Sequence, residues 1–310
     1  MEINCSTAVI IINWETYDYT RACLISLFNC TDQDFQVVVI DNGSTDGSGK
    51  RLFDEFQERC VFLFSGTNLG FSGGNNIGLK WAMGRNFEYV LLLNNDTEVE
   101  PDFLSLMKAE LTRNPNMGAV QPMIVFMDDP SKIWSAGGKW ISTLGRAVTL
   151  GDRVPLRDYK ASSQTLDWAT GCCLLITKEA LHQTGGLNEQ YFAYFEDVEW
   201  SLRCRKAGFE IGFAESAKVY HAAGGSSKKK HAEGTLSPKV FYYHVRNQFL
   251  LLRKELNGLQ KVAAISYHLI RFSSWMAYFF VRGRFKKFQA VSSGISEGLS
   301  KSLEPSPQWH

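Results

Sequence analysis

The sequence has almost no net charge. Its 33 Lys and Arg stand against 32 Asp and Glu, so the chain lacks the basic excess that nucleic-acid binding draws on, and any anion it holds must be met locally. The 7 cysteines, at positions 5, 23, 30, 60, 172, 173 and 204, are odd in number and contain no C-x-x-C spacing. That excludes a fully paired disulfide framework and argues against a zinc knuckle; the expectation is reduced thiols in a cytoplasmic protein. Met1-Glu2-Ile3-Asn4-Cys5 supplies no basic stretch ahead of the short apolar run at 8–12, so the N-terminus does not read as a signal peptide. Clean membrane-spanning runs are missing too, because the best window, 263–281, carries Arg271 near its centre, at about 2.5–3.5 kcal/mol on insertion scales. The glycine-bearing turns at 43–50 and 68–76 fit neither the G-x-x-x-x-G-K-[ST] phosphate loop, since Arg51 stands where Ser or Thr belongs, nor the G-x-G-x-x-G dinucleotide fingerprint.

What is present is a globular α/β chain. With 45% hydrophobic residues in 310, it can fill one large core and still carry a helical appendage. Apolar runs at 8–13, 35–40, 60–64, 89–93 and 119–126 predict strands rich in Val, Ile, Leu and Phe, as expected where helices cover both faces of a sheet. Amphipathic stretches at 19–29, 47–59, 75–85 and 101–113 predict the intervening helices, with Pro101 in a first turn. Residues 134–168 read as hairpins and loops. A strand at 169–177, a loop at 185–195, a helix at 196–207 and a strand near 209–220 follow, giving a mixed sheet. From 246 to 287 there are nine Lys and Arg against the single acid Glu255, a formal +8. On a helix, Ile265, Leu269, Phe272, Met276 and Phe279 share one face, while His268, Arg271, Trp275, Tyr278 and Arg282 share another. Such a helix either lies on an anionic membrane surface or packs on the catalytic domain.

The polar clusters fall where strands end, and open α/β sheets bind ligands beyond the carboxyl ends of their strands. After strand 35–40, Asp41-Asn42-Gly43-Ser44-Thr45-Asp46 delivers a carboxylate that could accept from a base or ribose; it also reads as an Asx turn with a helix cap. Asn68-Leu69-Gly70-Phe71-Ser72-Gly73-Gly74-Asn75-Asn76 reads as a glycine-rich turn opening a helix, whose free N–H groups favour an anion or a sugar. Asn94-Asn95-Asp96 ends a buried strand, placing Asp96 where a divalent ion could bridge to a diphosphate, or simply capping a turn. Glu196-Asp197, after Tyr191-Phe192-Ala193-Tyr194-Phe195, are partly desolvated acids suited to a general base and equally suited to a helix N-terminus. His221 closes a strand beside the Gly/Ser/Lys stretch 224–230, as a structural histidine or a metal ligand next to a phosphate-attracting lid.

Taken in order, these residues resemble the inverting family 2 glycosyltransferases of the glycosyltransferase-A fold, in their bacterial rhamnosyltransferase-like branch, over about residues 9–254. The resemblance implies a Rossmann-like mixed α/β sheet flanked by helices. Residues 1–250 form the catalytic domain, with a nucleotide-binding half at about 1–130 and an acceptor half at about 131–250; a basic amphipathic helical extension occupies 251–310. It implies that Asn13, Asp41 and Asn42 hold the nucleotide, that Asn68, Gly70, Gly73 and Asn75 line the donor pocket, and that Asn95 and Arg246 assist. Asn94-Asn95-Asp96 takes the place of the Asp-x-Asp motif, so Asp96 and His221 are the expected ligands of Mn²⁺ or Mg²⁺. Glu196-Asp197 matches the acidic dyad, with Asp197 as base in a single inverting displacement. The expected donor is dTDP-rhamnose, with a uridine diphosphate hexose or galactofuranose as second choice. The expected acceptor is a hydroxyl of a cell-envelope polysaccharide or lipid-linked oligosaccharide, with residues 246–287 on the cytoplasmic face of an anionic membrane and no nucleic-acid partner.

Two competing readings are a nucleotidyltransferase, whose basic Gly-rich signature Asn13-Trp14-Glu15-Thr16 does not offer, and a non-catalytic nucleotide- or glycan-binding protein on the same fold. A processive synthase is disfavoured, since no Gln-x-x-Arg-Trp follows the acid pair.

Overall fold

In the computed structural model, residues 5–161, 163, 165–223, 233 and 236–308 are described. The expected lid at 224–230, and with it most of the loop 224–238, lies outside them. The N-terminal half runs β1 (Thr7–Asn13), α1 (Tyr17–Phe28), β2 (Phe35–Asp41), α2 (Ser48–Phe56), β3 (Cys60–Phe64), α3 (Gly70–Met83), β4 (Tyr89–Leu93), β5 (Thr97–Val99), α4 (Phe103–Arg113) and β6 (Met117–Phe126). It continues through β7 (Ile133–Ser135), β8 (Gly138–Ile141), β9 (Arg146–Thr149), β10 (Thr165–Leu166), β11 (Cys173–Thr177), α5 (Lys178–Thr184), α6 (Glu196–Lys206) and β12 (Glu210–His221). Three helices close the chain: α7 (Pro238–Glu255), α8 (Gly258–Val281) and α9 (Phe285–Ser300).

The main sheet runs β10-β12-β6-β11-β4-β1-β2-β3, with β5 on β12 and β7 on β6. The pairs β4-β1, β1-β2 and β2-β3 are parallel, β11 is antiparallel to both β4 and β6, and β12 runs parallel to β6. The expected mixed sheet is therefore what forms. Val9, Ile11, Val37 and Val39 point into one apolar layer with α1, α2 and α4, while Ala8, Ile10, Val38 and Ile40 point into the other with α3, which is why these strands are apolar without alternation.

Several element ends differ from the sequence reading. Pro101 stands two residues ahead of α4 rather than in its first turn. The largest shift is in α3, which begins at Gly70, five residues before the predicted start. Gly73, Gly74 and Gly78 are thus helical, and the last two serve close packing: a Cβ on Gly78 would lie 2.6 Å from Ile10 Cγ2, and one on Gly74 would lie 3.0 Å from Ile12 Cδ1.

Residue 250, the domain boundary drawn from the sequence, lies inside α7. On α8 the expected apolar face is the packed one, since Phe272 and Phe279 are buried among residues of α7 and α9, with Ile265, Leu269 and Met276 beside them. The opposite face is less open than the pattern suggests. His268 is fully buried against the carbonyl of Leu144, which lies 3.1 Å from Nε2, and Trp275 packs with Phe241 and Phe272. Beyond α9, residues 301–308 run back over the catalytic part, where Gln190 Nε2 donates to Ser302 O and Lys254 Nζ to Ser306 Oγ. Among the described residues no helix is long and apolar enough to cross a membrane.

Candidate active site

The ends of β1 and β2 lie side by side, with Asn13 opposite Asp41. Asn13 Nδ2 donates to Asp41 Oδ1 (2.9 Å), Ser44 Oγ (3.1 Å) and Ser48 Oγ (3.0 Å), and its Oδ1 accepts from Thr20 Oγ1 (2.9 Å). Asp41 Oδ2 accepts from Ser44 N, and Gly49 passes so close that a Cβ would sit 2.4 Å from the Asp41 carboxyl carbon. Asn42 staples the following loop, donating to Gly70 O (3.0 Å) and accepting from Leu69 N (3.1 Å). Asn75 donates to Phe71 O, and Asn95 Nδ2 donates to Thr16 and Thr20 hydroxyls at 2.6 and 2.8 Å. Asn13, Asn42 and Asn75 are buried, so the structure makes them braces of the rim; a direct contact with a nucleotide does not follow from where they sit. Asn68 stays at the surface, its Oδ1 accepting from Gly70 N at 2.8 Å.

Gly73 lies in the first turns of α3 against its own preceding Leu69. Gly70 has a positive φ of 72° and meets Phe192, whose carbonyl oxygen would be 2.4 Å from any added Cβ; Ser72 N donates to that same oxygen at 3.1 Å. The donor-side turn and the loop before the acid pair are therefore in direct contact.

That loop is strained. Phe192, Tyr194 and Phe195 hold φ values of 63°, 72° and 71°, a conformation that costs bulky residues on the order of 1–3 kcal/mol each. Two adjacent residues of α7 hold it in place. Asn247 Nδ2 lies 2.8 Å from the carbonyl oxygens of Tyr191, Ala193 and Tyr194, to which it donates. Arg246 donates to Gln190 O (2.7 Å) and Tyr191 O (3.0 Å), lies over the Tyr243 ring, and is only 5% exposed. The sequence expects Arg246 at the donor; in the structure its guanidinium holds carbonyls of the loop that leads to the acid pair.

The acid pair follows at the start of α6. Glu196 is buried, and its Oε2 has no hydrogen-bond partner. Burial, then the charge of Asp197, pushes the Glu196 carboxyl well above the usual carboxylate range. Asp197 is half-buried; its Oδ2 accepts from Gly171 N at 3.1 Å and Oδ1 from Val198 N at 2.8 Å. Burial raises the Asp197 carboxyl too, opposed by those hydrogen bonds. Of the two, Glu196 is pushed further up, because Asp197 accepts the hydrogen bonds from Gly171 N and Val198 N that favour its charged form.

Gly171 is a link the sequence does not advertise. A Cβ there would lie 2.9 Å from Phe71 and 3.7 Å from the Asp197 Cβ, so α3, the strand β11 and the acid pair converge on a residue without a side chain. The next residue, Cys172, accepts from Asn94 N through its carbonyl at 2.8 Å. Asp197 and the Asn94-Asn95-Asp96 turn thus flank one short piece of backbone. Burial first, then the negative charge of Asp96 and, more weakly, of Asp197, hold the Cys172 thiol well above its ordinary range. All 7 cysteines are free thiols.

Asp96 and His221 meet across the β5-β12 pairing, with His221 Nε2 3.1 Å from Asp96 Oδ1. Both are at least nine-tenths buried, Trp134 packs edge-on against the imidazole at 4.3 Å, and His221 Nδ1 has no partner. Carboxylate oxygen plus imidazole nitrogen is a donor set that accepts Mn²⁺ or Mg²⁺. Among the described residues no third His, Cys, Asp or Glu joins them, which leaves positions for water or a diphosphate. The residues present fit such an ion.

Comparison with known proteins follows the same line. The family sequence model described as Glycosyl transferase family 2 matches residues 8–183. An N-acetylglucosaminyl-diphospho-decaprenol L-rhamnosyltransferase of Mycobacterium tuberculosis is 25% identical over 273 residues, covering 81% of this chain and 85% of its own. The dTDP-rhamnosyl transferase RfbF of Shigella flexneri is 26% identical over 225 residues, 72% of each chain. Among solved structures, the mannosyltransferase PcManGT from Pyrobaculum calidifontis, in complex with GDP-Man and Mn²⁺, superposes with a TM-score of 0.57 at 13% identity, over 95% of this chain and 87% of that one. S. aureus TarS 1-349 with UDP-GlcNAc gives 0.53 at 16%, over 96% and 81%.

Proposed function

Because the chain belongs to glycosyl transferase family 2, and is thus a glycosyltransferase of the glycosyltransferase-A fold that draws on a nucleotide sugar, we propose that it moves rhamnose from dTDP-rhamnose, with inversion, onto a hydroxyl of a cell-envelope polysaccharide or lipid-linked oligosaccharide. The observation that carries this reading is the shared backbone between the two acids: Gly171 N on Asp197 and Cys172 O on the Asn94 amide. The two rhamnosyltransferase relatives, whose names give a dTDP-linked donor in one case and a diphospho-lipid acceptor in the other, support the choice of sugar and acceptor.

In this reading Asp41, Asn68 and Gly70 face the donor, and Asn13, Asn42, Gly73, Asn75 and Asn95 hold that face in shape. Asp96 and His221 would hold Mn²⁺ or Mg²⁺, which would supply Lewis-acid stabilisation of the departing diphosphate, worth several kcal/mol. Asp197 takes the proton from the acceptor hydroxyl as it attacks the anomeric carbon. General-base help of this kind contributes about 10²–10⁴-fold. Glu196, the more strongly raised of the pair, is the acid that would retain a proton and so spare Asp197 a second negative charge, and Phe192, Tyr194 and Phe195 limit water around the pair.

The exposed corner between α8 and α9 supports peripheral attachment to the cytoplasmic face of an anionic membrane. Tyr278, Phe280, Val281 and Phe285 stand exposed there beside Arg282 and Lys286, the mix of apolar and basic groups that such surfaces attract.

The test is transfer from a panel of nucleotide sugars with Mn²⁺ or with EDTA, in wild type and in Asp197→Asn. The expected result is turnover of dTDP-rhamnose that needs the metal, and a loss of about 10²–10⁴-fold in the variant with donor affinity intact. Turnover of a uridine diphosphate hexose alone would overturn the donor assignment, and undiminished turnover by Asp197→Asn would overturn the base.

A further inference from the structure

Helix α8 turns a face to solvent that carries no charge. Every exposed residue from Gly258 to Val281 is apolar or neutral, although 21% of the chain is charged. The two charged residues of this helix, Lys261 and Arg271, are only partly exposed. Leu259, Val262, Ile270 and Val281 stand 88%, 62%, 73% and 83% exposed. A helix face turned to water ordinarily carries charged and polar side chains, and a contiguous row of open aliphatic groups marks a contact surface. Phe272 and Phe279, on the opposite side of the helix, are the residues that pack with α7 and α9.

The order of residues along the open face says what fits it. With Ile270 as the centre, Ser266 and Ser274 stand four residues to either side, Ala263 and Ala277 seven, and Leu259 and Val281 eleven. At about 100° per residue, all six point within about 40° of Ile270. The row therefore reads nearly the same in either direction. A two-fold axis through Ile270, perpendicular to the helix, places each residue opposite the one equally far on the other side. A second copy laid antiparallel thus sets Ser266 against Ser274, Ala263 against Ala277 and Leu259 against Val281, the self-complementary pattern of an isologous contact. Small residues beside the axis let two helices approach closely, and the aliphatic residues at the ends cover one another. Ser274 Oγ already donates to Arg271 O at 2.6 Å, so covering it strands no donor.

A lipid surface fits this row less well. A helix lying in a bilayer interface turns bulky apolar groups toward the acyl chains and flanks them with Lys and Arg. Here the middle of the row is Ser and Ala, and Lys261 lies on the side of the helix opposite Ile270.

We propose that α8 is the pairing surface of a two-fold symmetric dimer of this chain, formed by antiparallel contact of the two α8 helices about Ile270. At 1.5 Å per residue the face is about 36 Å long, and a helix about 10 Å across gives it roughly 360 Å² in projection per copy. That is the low end of specific interfaces, so the dimer is a micromolar one. Arg282, Phe285 and Lys286 follow the row in sequence, and the pair carries one such basic corner at each end. The dimer does not depend on the transferase reading, and its test involves no sugar transfer.

Sedimentation velocity of the full chain, without lipid or detergent, over about 1–100 µM reads the equilibrium. The variants, all at exposed positions, are Ile270→Glu, Ser266→Lys/Ser274→Lys and Ser266→Lys/Ser274→Glu, with the thermal midpoint of each verifying the fold. The wild type is expected to pass from monomer to dimer across this range. Ile270→Glu and the double lysine variant are expected to weaken association at least about tenfold, because like charges then meet across the axis. Ser266→Lys/Ser274→Glu sets opposite charges together only if the helices run antiparallel, and is expected to stay within a few-fold of wild type. A wild type that remains monomeric overturns the proposal, as does an Ile270→Glu or double lysine chain that associates as the wild type does. Equal loss in both double variants overturns the antiparallel pairing. A monomeric wild type that binds vesicles of phosphatidylglycerol in phosphatidylcholine, with that binding lost in Ile270→Glu, would give the face to a lipid surface and overturn the dimer.

Discussion

The two sides of the rim are built from the same kinds of residue and treat them in opposite ways. On the donor side, Asn13, Asp41, Asn42 and Asn75 are tied to one another and to neighbouring backbone by hydrogen bonds of 2.9–3.2 Å. On the acid-pair side, Glu196 Oε2 and His221 Nδ1 are buried with no partner, and the turn at 192–195 is held in an unfavourable conformation by a helix from the far end of the chain. Saturated polar groups fix shape, whereas unsatisfied ones are the reactive inventory. The comparison teaches that the many Asn and Asp of the first half build the rim, while Glu196 and His221, two of the five buried side chains with an unpartnered polar atom among the described residues, stand where chemistry is expected.

The largest effect that bears on this contrast should come from Asn247→Ala. It removes the donor to the Ala193 and Tyr194 carbonyls, while Tyr191 O keeps Arg246; a buried acceptor left unmade costs about 1–3 kcal/mol, so a destabilisation of about 3 kcal/mol is expected. In kinetics it should lower kcat by roughly tenfold or more with donor KM unchanged, because the loop orients Asp197 and makes no donor contact. Denaturant melts and steady-state rates check both. A fall in donor affinity in step with kcat would erase the distinction between the two sides.

A smaller effect, with a definite pH signature, belongs to Glu196→Gln. The Glu196 carboxyl is raised in the fold. Its favourable contribution is therefore complete below the ordinary carboxylate range near 4.3 and is lost as pH rises through the raised folded value. Glutamine, which carries no proton to lose, should leave stability unchanged near pH 4 and raise the thermal midpoint at pH 7 by roughly 2–4 °C. Transfer should persist within about tenfold, since the neutral acid is what glutamine imitates. A midpoint that moves equally at both pH values would mean that Glu196 is not the protonated partner.

Much of this was legible in the sequence, and for identifiable reasons. The strands were readable because parallel strands buried on both faces are uniformly apolar, and that Glu196-Asp197 opens a helix and Asp96 follows a strand was readable from the apolar and aromatic runs beside them. The start of α3 was not, since glycines at 70–74 look like a loop until Ile10 and Ile12 are seen to press against the helix. That Arg246 holds the loop at 190–191 is not legible in the sequence, which gives a residue's type and not the direction in which its helix faces. Gly171 carried no signal at all: its role is to be small between Phe71 and Asp197, two residues distant from each other in the chain.

The central claim, that Asp96 and Asp197 share one rim, is tested most directly by Mn²⁺ titration of protein labelled with ¹³C at the aspartate carboxyls. Signals are assigned by Asp96→Asn and Asp197→Asn, and paramagnetic broadening reports distance from the ion. The account predicts that the Asp96 and Asp197 resonances broaden together, ahead of the surface aspartates such as Asp54 and Asp158. An Asp197 signal that stays sharp after that of Asp96 has disappeared would contradict it.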